Sequence, residues 1–540
     1  MKLLKTLLMG IALFTGVICF GQTQQVKYGS VKLGPEEKDN QYSLVSVLDT
    51  DETGFWVLRA KRKRMRIGFG IGSRNIKRRV DFLNKNMELK KSAEIPSKIG
   101  DKKMFLESTF EWNNEIYFLL GYNNRKKQLK ELYLHKLNKT SLKLSSKGKK
   151  VSETVRKSSN WVGEFAYSFS PDSSKILFIE EERQKNREKK KLGFKVYDKD
   201  LSKVWTRSIV LPYKEKLFDV ENYSVDNKGN AYVLGVKYNE VLKRKRKGKP
   251  NYQYTINQYS GESNIPEEYL VDFPDIFVTD MTMHVEDGGN IVCAGFYSAK
   301  NSTRILGAVF FKLDPNSKEI VSSSQGPFKD AISQNVTLDE KEQKRKKKKK
   351  KKENEIYQLK LKDFIFRDDG GAILVAEQYY VRQVTSTQNR GAAGGMTTTT
   401  DYYYHYYDVF VVNINPEGKI EWNNRIRKNQ VTRNDGGFYS SYALGVVRDN
   451  IYIVFNDHVD NIRSADRNRL KRMTLSKGKS AVAVAKINGS GDVGIEELFT
   501  RKMAGTRTLP KLCEQINGNE MLIYGVKGSK YRFARFMINE

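Results

Sequence analysis

Cations supply the most concentrated chemistry in this chain. Arg62, Lys63, Arg64, Arg78 and Arg79 fall within RAKRKRMRIGFGIGSRNIKRR (Arg59–Arg79), Arg244, Arg246 and Lys247 within LKRKRKGK (Leu242–Lys249), and Arg469 and Arg472 within IRSADRNRLKRMTLSKGK (Ile462–Lys479). The densest run, KEQKRKKKKKKKENE (Lys341–Glu355), holds Lys346, Lys348 and Lys350, and shorter basic clusters stand at Asn123–Lys130 and Glu182–Lys191. Grouped ammonium and guanidinium charges neutralise anions: the carboxylates of an acidic protein, or the phosphate, sulfate and uronate groups of a polyanion. One such run alone is ordinarily a solvated surface, so its meaning depends on where the fold puts it. A second feature is DYYYHYYD (Asp401–Asp408). Tyr402 and Tyr404 there would either offer ring faces beside cations to a sugar or base, or pack within a strand with their hydroxyls at its rim.

Other chemistry is not signalled. His135, His284, His405 and His458 lie far apart, with no Glu or His at a zinc-site spacing, and Gly68–Asn75 (GFGIGSRN) has nest-forming glycines without a strand–helix context. Neither a G-x-S-x-G elbow, a G-x-x-x-x-G-K-[ST] loop nor an Asp-rich calcium loop occurs. No catalytic residue, metal or cofactor is therefore expected. Cys293 and Cys513 sit in apolar runs (NIVCAGF and PKLCEQI) far apart in sequence and read as buried thiols rather than a bridge.

The elements that must carry the cations are strands. Phe364–Tyr380 (FIFRDDGGAILVAEQYY) sets two apolar, β-branched and aromatic runs around an Asp-Gly-Gly turn, a β-hairpin pattern. The same turn chemistry recurs at Asp51–Gly54, Asn113–Asn114, Asp172–Ser174, Asn227–Asn230, Asp287–Gly289, Asp449–Asn450 and Asn517–Asn519. A second set interleaves at Asn84–Asn86, Asn138–Thr140, Asp198–Asp200, Ser260–Glu262, Asp314–Asn316, Asn415–Gly418 and Asn488–Gly491. The period of about 60 residues, with two turns per unit, specifies repeated four-stranded antiparallel sheets. The expectation is an all-β chain forming a single β-propeller of eight four-stranded blades, with seven as the alternative count. The segment Gln25–Leu33 would supply the strand that the last unit lacks and so close the ring.

Tyr167–Phe178 reads YSFSPDSSKILF and resembles the FSPDG-type signature of TolB-like and WD40-like propeller repeats, with Ser173–Ser174 in place of the usual Gly. The resemblance covers one unit and implies the fold, not a function. In a propeller, both turn sets emerge on one face, while the loops joining second to third strands and the connections between blades emerge on the other. Every basic cluster named above belongs to that second group, so one face should carry most of the charge. The excess of 96 Lys and Arg over 63 Asp and Glu, a net +33, is consistent with an acidic partner.

Residues 1–21 read as a signal peptide: a basic start, an apolar Leu7–Phe20, and small residues at Cys19 and Gly21 before a cut at Gln22, similar to Gram-negative export signals ending in Phe-Gly-Gln. A lipoprotein cut before Cys19 is the alternative. The chain ends within its last unit, which favours the periplasm or outer-membrane periphery over an appended surface-sorting domain. A disordered polybasic loop at about residues 339–355 and a flexible loop at about residues 382–400 are expected between and within blades. The function expected is a non-enzymatic envelope scaffold that docks an acidic partner protein. The alternatives are a binder of acidic glycan, lipopolysaccharide or nucleic acid, and, by analogy with propeller-fold lyases, an enzyme on an acidic polysaccharide.

Overall fold

The computed structural model describes residues 23–62, 76–239, 245–246, 249–263, 266–271, 276–298, 305–328, 359–367, 369–389, 396–464 and 470–539. These form antiparallel sheets that follow one another along the chain, most of them in strand order one to four: Tyr42–Ile95, Lys102–Val155, Glu164–Lys214, Phe218–Val271, Phe277–Pro327, Leu359–Ile426, Ala443–Thr500 and, last, Arg507–Ile538. The two turn sets fall where the sequence places them. Asn113 and Asn114 both take positive φ (53° and 63°), the conformation a two-residue hairpin turn demands and Asn tolerates. In the FSPD-like hairpin, Ser173 occupies the left-handed position (φ 57°) that glycine usually fills. Asp172 compensates by accepting from Ser170 Oγ at 2.6 Å and Ser174 N at 2.9 Å.

Each sheet buries both faces against its neighbours. Trp56, Leu58 and Val80 of the first sheet pack with Leu106, Phe118 and Leu120 of the second, and the second meets the third through Leu132, Leu134, Ile176 and Phe178. The same interlock continues from sheet to sheet. Phe55, Val57 and Leu83 of the first sheet then pack with Leu522, Tyr524, Tyr531 and Phe533 of the last. Burial on both faces explains why the second strands are continuous apolar runs, such as Ile291–Ser298, rather than alternating ones. The architecture is a β-propeller, and among the described residues no helix is long and apolar enough to cross a membrane.

First strands of adjacent sheets lie beside one another around the axis, and they are tied by polar bridges. Val47 N donates to Glu514 Oε1 at 3.0 Å, Gln515 Nε2 to Val446 O at 2.8 Å, Tyr442 OH to Asp363 Oδ2 at 2.7 Å and Asn222 Nδ2 to Thr282 Oγ1 at 3.0 Å. Gly29–Leu33 pairs antiparallel with Ala534–Ile538 of the last sheet. The preceding residues, Thr23–Val26, fold back on Gly29–Leu33 as a further strand, so this segment is a hairpin rather than the single strand expected from Gln25–Leu33.

One expectation is corrected. Residues 382–389 and 396–400, read as flexible loop, are paired strand: Arg382 opposes Tyr403, Thr385 opposes Thr400 and Asn389 opposes Met396. Val384, Thr385, Thr387 and Thr397–Thr400 are β-branched residues that favour extended backbone, and this outweighs the loop-like composition. The lysine run expected to be disordered lies outside the described residues.

Candidate interaction face

The loop face is built from the ends of second strands and the starts of third strands. Exposed cations crowd there: Arg125, Lys126 and Lys127 between Glu115–Asn124 and Leu129–Asn138, Arg183, Lys185 and Arg187 between Lys175–Glu182 and Lys189–Asp198, and Lys477 and Lys479 before Ser480–Ile487. Arg472 is exposed, its guanidinium anchored on Val431 O at 2.6 Å. Arg62 spans from Ser43 Oγ (2.7 Å) to Gly528 O (3.0 Å) and ties the first sheet to the last. Arg246 stands in a short hairpin opposite Lys249. Lys63, Arg64, Arg244, Lys247, Lys346, Lys348, Lys350 and Arg469 lie outside the described residues.

Several cations read from sequence as loop charge are structural instead. Arg59 is wholly buried in the second strand of the first sheet, ion-paired to the equally buried Asp81 at 2.7 Å, with its guanidinium 4.0 Å from the centre of the Tyr531 ring. Arg79 lies in the third strand and bonds Asp81 at 2.6 Å and Asp39 at 2.7 Å. Arg78 is buried too, donates to Ile76 O at 3.2 Å, and has its pKa lowered by that burial. The basic run thus crosses the loop–strand boundary, and its last two arginines belong to the sheet.

A cleft and a buried polar network lie toward this face. A cleft of about 480 Å³ between the first and second sheets is edged by Lys77, Arg78, Lys98 and Lys103 over Ile95 and Phe105, with Glu94 on its wall. The network is in the sixth sheet. Its fully buried Lys428 Nζ meets Glu377 Oε1 at 2.5 Å and Gln430 Oε1 at 3.1 Å, and Ser441 Oγ donates to Glu377 Oε2 at 2.7 Å. Burial pushes the Lys428 amine below its ordinary range against the pull of Glu377. Above this network Tyr406 packs on Tyr379 at 4.4 Å between ring centres, and Lys511 of the last sheet donates to the Tyr406 hydroxyl at 2.5 Å.

The tyrosine stretch divides accordingly. Tyr402 is exposed and Tyr404 half-buried on the ribbon that continues the sixth sheet, whereas His405, Tyr406 and Tyr407 are buried. His405 stacks on Tyr380 with centroids 4.3 Å apart. The remaining histidines sit in structural surroundings: His135 Nδ1 lies 2.8 Å from Ser145 O, His284 packs on Phe366, and His458 caps a helical turn at Val459–Arg463. Cys293 and Cys513 are free and buried, and burial raises both thiols, Cys513 to about 12. The Lys360, Lys362, Tyr379, Tyr406 and Lys511 grouping escaped sequence reading. Its only local trace is LKLK (Leu359–Lys362), where alternation puts both lysines on one side of a first strand.

No family model matches the chain, and no curated protein does. Solved structures match it at low similarity. The WD40 domain of SCAP from fission yeast is 8% identical with a TM-score of 0.37, over 94% of this chain and 98% of that one. The propeller domain of the Trilobed protease from Pyrococcus furiosus is 12% identical with a TM-score of 0.31, over 74% and 99%. A prolyl endopeptidase is 10% identical with a TM-score of 0.33 over 84% of this chain, which spans 46% of that enzyme.

Proposed function

We propose that this chain is an exported bacterial envelope protein, an eight-bladed propeller closed by its N-terminal strand, whose basic face docks an acidic partner protein without catalysing a reaction. The observation that carries the reading is the collection of exposed cations from the second, third and seventh sheets at the same end of their strands. Like charges held together on one rim repel one another, and an acidic surface relieves that repulsion while releasing counterions. The ring reading is supported by the packing of the last sheet on the first and by the pairing of Gly29–Leu33 with Ala534–Ile538. The polar bridges between first strands support a rigid platform for the loops. Export rests on the leader-like residues 1–21, with the periplasm or outer-membrane periphery as the expected site.

Cross-linking in the native envelope followed by purification through a salt gradient tests this, alongside a variant lacking Lys341–Lys352. A stoichiometric acidic protein that survives moderate salt is the expected result. Recovery of only glycan, lipopolysaccharide or nucleic acid, released at low salt, would replace the scaffold with a polyanion binder.

A further inference from the structure

Three amines from two sheets converge beside a tyrosine pair on the loop face. Lys360 and Lys362 are exposed on the first strand of the sixth sheet, with Nζ atoms 5.7 and 5.5 Å from the Tyr379 ring centre. Lys511, from the last sheet, places its Nζ 4.5 Å from the centre of the Tyr406 ring. Lys511 also donates to the Tyr406 oxygen, which fixes its stem against that ring. Lys428 beneath adds no net charge, being paired with Glu377. Asp435 faces the cluster from the neighbouring loop, its Oδ1 taken by Thr432 Oγ1 at 2.6 Å and Gly437 N at 2.8 Å. Glu377 from below and Asp363, beside Lys362, also act on the cluster.

The geometry points to a carboxylate-binding subsite, in which Lys360, Lys362 and Lys511 close around one acidic side chain of the docked protein. This rests on the reading of the basic face as the docking surface for an acidic protein. Amines on flexible stems serve a carboxylate as point charges and impose no bidentate geometry, and the tyrosine rings keep bulk water from one side. Burial, with Lys362 and Lys428 nearby, pulls the Lys511 amine down to about 8 despite Glu377 and Asp435.

The test uses a fluorescein-labelled hexaglutamate peptide and the full mature chain at low salt, comparing K360Q/K362Q/K511Q with R125Q/K126Q/K127Q. The subsite variant should weaken binding by about tenfold, and the rim variant by less. In the unaltered protein, acetylation of Lys511 by acetic anhydride at pH 8, read by mass spectrometry, should be suppressed by the peptide. That readout holds even where a variant fails to fold. Equal binding by both proteins with unprotected Lys511 overturns the subsite and leaves the docking reading intact. Failure of the peptide to bind any of the proteins overturns the docking reading and the subsite with it. Binding of oligogalacturonate but not of hexaglutamate, with the same lysine dependence, overturns the protein source in favour of a sugar acid.

Discussion

The two faces of this propeller use polar residues in opposite ways. On the turn face, carboxylates and amides are spent on the backbone beside them. Asp226 accepts from Asn230 N at 2.7 Å and from the Tyr232 hydroxyl at 3.0 Å, and Asp51 accepts from Thr53 N at 2.7 Å. On the loop face, runs of Lys and Arg stand at strand ends, where Arg472 and Arg62 reach backbone carbonyls, and those that enter the sheets, such as Arg59 and Arg79, find the buried Asp81. A polar residue closing a short turn is consumed by folding, whereas the proposed docking role falls to cations on the longer loops.

The largest expected effect comes from breaking a basic segment that joins both roles. Asp81→Asn leaves Arg59 buried without its counter-charge, and should cost about 3–5 kcal/mol in denaturant unfolding while Arg125 and its neighbours keep their affinity for acidic peptide. Phe533→Ala, at the packing of the last sheet on the first, should cost a similar about 3–5 kcal/mol by opening a cavity. A turn-face substitution, Asp226→Ala, should cost about 1–2 kcal/mol and leave acidic-peptide binding unchanged. Loss of binding there would abolish the distinction between the faces.

A pH titration sharpens the contrast. Lys511, lowered to about 8, loses its charge well before an ordinary lysine, so carboxylate binding at the sixth sheet should weaken as pH rises through 8 to 9. With the folded pKa below the unfolded one, the unfolded chain holds more protons above pH 8. Stability from this group should therefore rise, not fall, as pH climbs toward the ordinary lysine range. On the turn face, Asn316 N–H holds the Asp314 carboxyl low, and Asn488 does the same for Asp492. Their contribution is present at neutral pH and is lost as pH falls below the ordinary aspartate value, the smallest of these effects.

The turns were legible because Asp, Asn and Gly act on their own neighbours within a few residues, so sequence alone holds the whole interaction. Thr385 and Thr397–Thr400 misled because glycines nearby suggested a loop, while their pairing partners lie across the hairpin. Arg79 and Arg59 look like surface charge in a basic run, and only the distant Asp39, Asp81 and Tyr531 reveal that they are internal. Lys511 and Lys360 are separated by two sheets of sequence, so no local pattern announces that they share a tyrosine pair.

The most direct test of the division between faces is the salt dependence of acidic-peptide binding after charge reversal on each. Arg125→Glu, Lys126→Glu and Lys127→Glu together should lower affinity and flatten its decline with salt, whereas Asp51→Lys and Asp287→Lys on the turn face should leave both nearly unchanged. Equal losses from the two sets would contradict the account, because binding would then follow net charge alone and no face would be its seat.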